Sequence, residues 1–120
     1  MARTATPHSC WPLLAGATAI TIFAASIVAQ SNINTIAGLS GKIVGAARAC
    51  GIDGNRLATT TERVFRVINQ RARSKSEAGD ATLLFAKMIN VGVDEIASRR
   101  TSCEQARKAF ADIEQQFRNY

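Results

Sequence analysis

Apolar residues recur at helical spacing in most of this chain, and few segments alternate with the period of two that marks a strand. The clearest stripe runs through the second of four predicted helices and comprises Leu57, Thr61, Val64, Phe65, Ile68 and Ala72. A second stripe in the fourth helix comprises Cys103, Ala106, Phe110, Ile113 and Phe117. Narrow apolar seams of this kind pack in helical bundles. The pattern therefore predicts an all-α, four-helix, bundle-like domain, with Val67 as an exposed exception to the stripe of the second helix.

Glycines and capping residues set the predicted helix bounds. Gly51 and Gly92 are expected to end the first and third helices. Residues 93–100 are expected to form a loop, with one helical turn around residues 94–97 as an alternative. Asp53 or Asn55 is expected to cap the second helix. Thr101 or Ser102 is expected to cap the fourth, since each is followed three residues later by Glu or Gln. The predicted helices are residues 33–50, 53 or 55 to 73, 77–91, and 101 or 102 onwards.

Small residues recur every fourth position in the first helix, at Ala37, Gly41, Gly45 and Ala49. A glycine inside a helix costs about 1 kcal/mol relative to alanine, so the pair needs a packing reason. Close approach of another helix of the same chain is the expected reason.

An uncharged apolar run, residues 11–29, precedes the predicted bundle. A basic head, an apolar middle and a small residue before the polar Gln30 are typical of a secretory signal peptide cut after Ala29, with a cut after Ser26 as second choice. The same length fits an uncleaved membrane anchor or a buried helix. The predicted organisation is a signal peptide (or anchor) over residues 1–29 and one helical domain over residues 30–120. The expected location is periplasmic or secreted, or anchored in the inner membrane if the run is retained.

Removal of residues 1–29 would leave a domain with no His, Trp or Pro. Histidine-based nucleophile systems and histidine metal ligation are then excluded. The carboxylates are scattered over predicted polar faces, and no Gly-x-Ser-x-Gly motif is present. We therefore expect no enzyme, no cofactor and no metal site.

The chain carries an excess of basic residues. The chain has a net charge of +6, or +5 without Arg3. Arg56, Arg63, Arg66 and Arg73 fall on the predicted polar side of the second helix. No aromatic residue interleaves with them, so base stacking and sequence-specific nucleic-acid binding are not indicated. An anionic surface or an acidic protein is the expected partner, and a merely solvated basic face is the alternative.

Two cysteines, Cys50 and Cys103, remain after residue 29. In an exported small domain they are expected to form a disulfide, whereas in a reducing cytosol they would be free thiols. The bridge would join the end of the first helix to the start of the fourth. The chain-entropy model gives about 4 kcal/mol of stabilisation for a closed loop of roughly 50 residues.

The blocks AARACGI at residues 46–52 and TSCEQARKAF at residues 101–110 resemble those of small exported bacterial proteins with two cysteines and no assigned activity. The resemblance implies a helical fold with one disulfide. In outline the chain is also similar to periplasmic acid-stress chaperones and to helical immunity proteins that block toxic effectors. The expected function is thus a small exported binding protein. A stress chaperone, an immunity-type protein and a membrane-anchored subunit are the alternatives.

Overall fold

The computed structural model describes residues 32–120, which form four α-helices and, within that range, no strand. The helices are α1 (Ile33–Ala49), α2 (Gly54–Arg71), α3 (Lys75–Ala97) and α4 (Cys103–Gln116). The predicted all-α, four-helix class is confirmed. The predicted signal peptide or anchor, residues 1–29, lies outside the described residues.

A side chain caps the beginning of each of the four helices. The caps also decide between the two residues that the sequence left open for α2 and for α4. The Asp53 carboxylate accepts hydrogen bonds from the backbone N–H groups of Asn55 and Arg56, so Asp53 is the cap of α2. Ser102 caps α4 in a reciprocal capping box with Gln105. Such caps satisfy N–H groups that have no partner inside the helix.

Helix α3 is longer than predicted at both ends, and the loop expected at residues 93–100 is wrong for residues 93–97, which continue the helix. The helix continues through Gly92 to Ala97, and the turn occupies the residues before Ser102, with Arg99 in the left-handed region at φ 63°. Gly92 lies inside the helix, where it allows the backbone of α1 to approach closely. A Cβ at this position would overlap the carbonyl oxygen of Lys42 on α1.

The α1–α3 contact is the closest in the fold because glycines lie on both sides of it. A Cβ on Gly41 would overlap the carbonyl oxygen of Phe85, and one on Gly45 would overlap that of Ile89. Packing of the small residues within one chain is therefore confirmed. Ala49, the last small residue of the predicted row, is exposed and takes no part.

The main core joins α1 to all three other helices. Its largest fully buried side chains are Phe85, Phe110, Phe117, Ile36, Ile68, Ile113, Val64 and Val67. The predicted exposure of Val67 is wrong, since its side chain is 0% exposed. Helix α2 packs against α1 and α3 and also reaches α4 through Arg56, so its buried arc is wider than the stripe seen in the sequence.

A disulfide joins Cys50 and Cys103, whose Cα atoms are 5.4 Å apart. Cys50 is the C-cap of α1 and Cys103 is the first residue of α4, as predicted. Ala46 and Ala106 pack around the bridge in a small second core. The bridge therefore holds the end of α1 against the beginning of α4.

Candidate functional site

The four arginines singled out in the sequence do not form one free surface. Arg56 donates from Nε and Nη2 to the two carboxylate oxygens of Glu114, at 2.9 and 2.6 Å. Its guanidinium carbon also lies 5.4 Å from the centre of the Phe110 ring. The hydrogen bonds from Arg56 hold the pKa of Glu114 below its ordinary value. Arg56 is thus part of the α2–α4 contact.

The other three arginines differ in what they contact. Arg63 is partly buried on the same side as Arg56, and its charge also favours the ionised form of Glu114. Arg66 donates to the Glu62 carboxylate at 2.9 Å and to the carbonyl oxygen of Tyr120 at 3.1 Å, yet its side chain is 54% exposed. Arg73 is exposed beyond the end of α2. Arg56 is 47% exposed as well, but it is engaged with α4. Arg66 and Arg73, hereafter the α2 outer edge, are the exposed arginines of the four that lie outside the contact with Glu114.

A groove that the sequence did not reveal lies between α1 and α4, next to the C-terminal part of α3. Its volume is about 690 Å³. We call it the α1/α4 groove. Its apolar floor is formed by Leu39, Ile43, Ala46, Ala106, Ala109 and Ile113. Its rim carries Lys42, Glu95, Arg100, Thr101, Gln105, Lys108 and Asp112.

The rim acid Glu95 is already bound by neighbours in the protein. Lys42 Nζ lies 2.9 Å from Glu95 Oε2, and the Thr101 hydroxyl donates to Oε1 at 2.9 Å. These hydrogen bonds, with the nearby charge of Arg100, lower the pKa of Glu95. The carboxylate therefore stays ionised, and its charge is compensated locally. Lys108 and Asp112 are one helical turn apart on the opposite rim.

The groove was missed for two reasons. Glu95 was expected in a loop, whereas it lies in the last turns of α3. Leu39 and Ile43 flank the small-residue row of α1, and nothing in their spacing shows which neighbours they meet. One signal was present in the sequence. The apolar surface of α1 is wider than packing against a single helix requires, which indicates that part of it faces another neighbour or solvent.

Among residues 32–120, no three His, Cys, Asp or Glu side chains come together as a metal site. None of the helices described is both long and apolar enough to cross a membrane. Comparison with family models, curated proteins and solved structures finds no match to this chain. The α2 outer edge and the α1/α4 groove are the two candidate surfaces of the described domain.

Proposed function

We propose that the protein is a small exported, non-enzymatic binding protein that recognises an anionic partner. The observation that carries the proposal is the α2 outer edge, where Arg66 and Arg73 project into solvent on a domain with excess positive charge. Lys75, at the start of α3, is exposed beside Arg73. Clustered cations of this kind raise the local concentration of anionic partners and accelerate their association.

Export is supported by the disulfide. Bridges of this kind persist in oxidising compartments and are rare in the cytosol of mesophiles. Intact-mass measurement of the protein from the cell envelope tests this part of the proposal. We expect a chain that begins at Gln30 or within a few residues of it. A full-length mass there would instead support the membrane-anchored alternative.

The proposal rests on Arg66 and Arg73, because Arg56 is bound to Glu114 and the charge of Arg63 also acts on Glu114. Arg56 is engaged with Glu114 and Phe110, so its substitution would disturb the α2–α4 contact. Arg66→Gln with Arg73→Gln removes two exposed charges and leaves that contact intact. It also removes the hydrogen bonds from Arg66 to Glu62 and Tyr120, so circular dichroism must show that the variant is folded. Arg48→Gln with Lys87→Gln is the matched control, because it removes two exposed charges elsewhere on the domain.

Two probes separate the kinds of anionic partner: vesicles of phosphatidylglycerol in phosphatidylcholine, and poly-glutamate. The unmodified protein should bind at least one of them, and added salt should weaken binding. The α2 variant should bind more weakly than the control variant. Equal binding by the two variants would show that the α2 outer edge is only a solvated surface.

The chaperone and immunity-type alternatives differ in the number of partners. Crosslinking in intact cells followed by mass spectrometry should recover one main partner if the protein is a specific binder. Recovery of many unrelated proteins would favour a chaperone instead.

A further inference from the structure

The α1/α4 groove is an open, largely apolar surface of the described domain. Leu39 and Ile43 project from α1 toward it and are only partly buried. Its volume of about 690 Å³ lies within the range of about 300–1,000 Å³ that is usual for binding pockets. Apolar floors with polar rims are typical of binding grooves.

We propose that this groove binds an amphipathic, acidic helix of a partner protein. The apolar side of that helix would lie on Leu39, Ile43 and Ala109. Its carboxylates would face the rim cations Lys42 and Lys108. The proposal shares with the proposed function the acidic character of the partner, but it concerns a different surface and can fail separately.

A helix fits the shape of the groove. The floor follows α1 from Leu39 to Ala46, which is about 10 Å, or roughly two helical turns, at a rise of about 1.5 Å per residue. Ala46, Ala106 and Ala109 are small, so another helix could approach the floor closely. Helix-in-groove recognition uses apolar anchors at positions i, i+3 or i+4, and i+7, which match a floor of two turns.

The charges on the rim favour an acidic occupant. Three cations (Lys42, Arg100 and Lys108) stand against two acids, and one of the acids, Glu95, is already bound by Lys42 and Thr101. Lys42 remains 39% exposed, and its ammonium group can donate a hydrogen bond to a second carboxylate. A second copy of this basic domain would be repelled by charge. The uncharged run at residues 11–29 would leave the cations unmatched.

A designed peptide tests the proposal on the purified, oxidised protein. The probe is a fluorescent helix of about 14 residues, roughly 21 Å long, with Leu at the anchor positions and Glu beside them. A matched peptide carries Lys in place of Glu. We expect fluorescence anisotropy to show salt-sensitive binding of the Glu peptide and much weaker binding of the Lys peptide.

Two pairs of variants locate the binding. Ala109→Trp fills the groove without changing charge, and its control is Ala111→Trp on the exposed side of α4. Ala109→Trp should weaken binding about tenfold or more, as expected when about 1.4 kcal/mol of apolar contact is lost. Lys108→Glu should weaken binding several-fold more than Lys87→Glu, which makes the same charge change on exposed α3 surface. Circular dichroism confirms that each variant is folded.

The outcomes separate this inference from the proposed function. Undiminished binding of the Glu peptide by folded Ala109→Trp would overturn the groove inference. Loss of binding in Arg66→Gln/Arg73→Gln but not in Ala109→Trp would do the same and leave the proposed function standing. A dimer that Ala109→Trp dissociates, or tighter binding of a peptide spanning residues 11–29, would assign the groove to this chain itself and also overturn the inference.

Discussion

Gly92→Ala tests the close approach of α1 and α3, which organises the fold. A Cβ at Gly92 would overlap the carbonyl oxygen of Lys42 and lie 2.7 Å from the backbone nitrogen of Ala46. Both neighbours are backbone atoms of a helix and cannot rotate away. The added methyl group can therefore be accommodated only if the two helices move apart.

The expected magnitude combines two opposing effects. Alanine is preferred over glycine inside a helix by about 1 kcal/mol. Overpacking costs about 1–3 kcal/mol, and the upper end applies here because the obstructing atoms are backbone. The net expectation is a loss of about 2 kcal/mol in the free energy of unfolding. For a domain of this size, this corresponds to a melting temperature about 8–16 °C lower.

The same helix provides a matched control, Gly79→Ala. Gly79 is an exposed helical position where a Cβ would meet no atom within 4 Å. Only the preference for alanine over glycine inside a helix applies here. The free energy of unfolding of this variant should therefore rise by about 0.5–1 kcal/mol. Urea unfolding followed by circular dichroism measures both variants against the parent protein. If Gly92→Ala is as stable as Gly79→Ala, the inferred contact between α1 and α3 is wrong.

Three further predictions concern the disulfide, a buried hydroxyl and an ion pair. Cys103→Ala should lower the free energy of unfolding by about 2–5 kcal/mol, measured by heat or urea. A parent protein that is equally stable with and without reductant would contradict this prediction. Ser40→Ala should be neutral or stabilising by up to about 1 kcal/mol, because the Ser40 hydroxyl is fully buried without a hydrogen-bond partner; a loss of stability in urea would show that the hydroxyl is bonded. Glu114→Gln should cost stability at neutral pH but not in acid. Arg56 lowers the folded-state pKa of Glu114 below 4.5, so the stabilisation is present above 4.5 and is lost as pH falls through the lowered pKa. The urea midpoints of Glu114→Gln and the parent protein, measured across that pH range, test this prediction. A difference between the two midpoints that does not change with pH would refute it.

Local signals carried most of the successful predictions. The capping box at Ser102 and Gln105 is encoded in residues three positions apart, and the stripe of α4 lies within a single helix. These patterns act over one or two turns, so they can be recognised without knowing the neighbours. The disulfide followed from the position of each cysteine at a helix end.

Most of the failures depend on contacts between distant parts of the chain; the early start of α3, capped by Ser74, is a local exception. A glycine that ends a helix and a glycine that admits a neighbouring backbone look alike in sequence, and only the position of Lys42 distinguishes them at Gly92. Val67 is buried although it lies off the apolar stripe, since α2 packs against more than one helix. Arg56 appeared to be a free cation because its partner, Glu114, lies 58 residues away. The groove needs α1, α3 and α4 together, so no single stripe predicts it.

The disulfide and the α1/α4 groove are physically linked. Ala46 and Ala106 belong both to the groove floor and to the small core around the bridge. The Arg107 side chain adds a hydrogen bond of 3.1 Å to the carbonyl oxygen of Cys50, across the same junction. Helix α4 has only 14 residues, a length that is marginal without tertiary support. Reduction of the disulfide would therefore loosen the contact between α4 and α1, which forms the groove. The tightly packed α1–α3 pair would be affected later. The disulfide adds to the core contacts of Phe110 and Ile113, so the two walls of the groove are held most firmly where the bridge is oxidised.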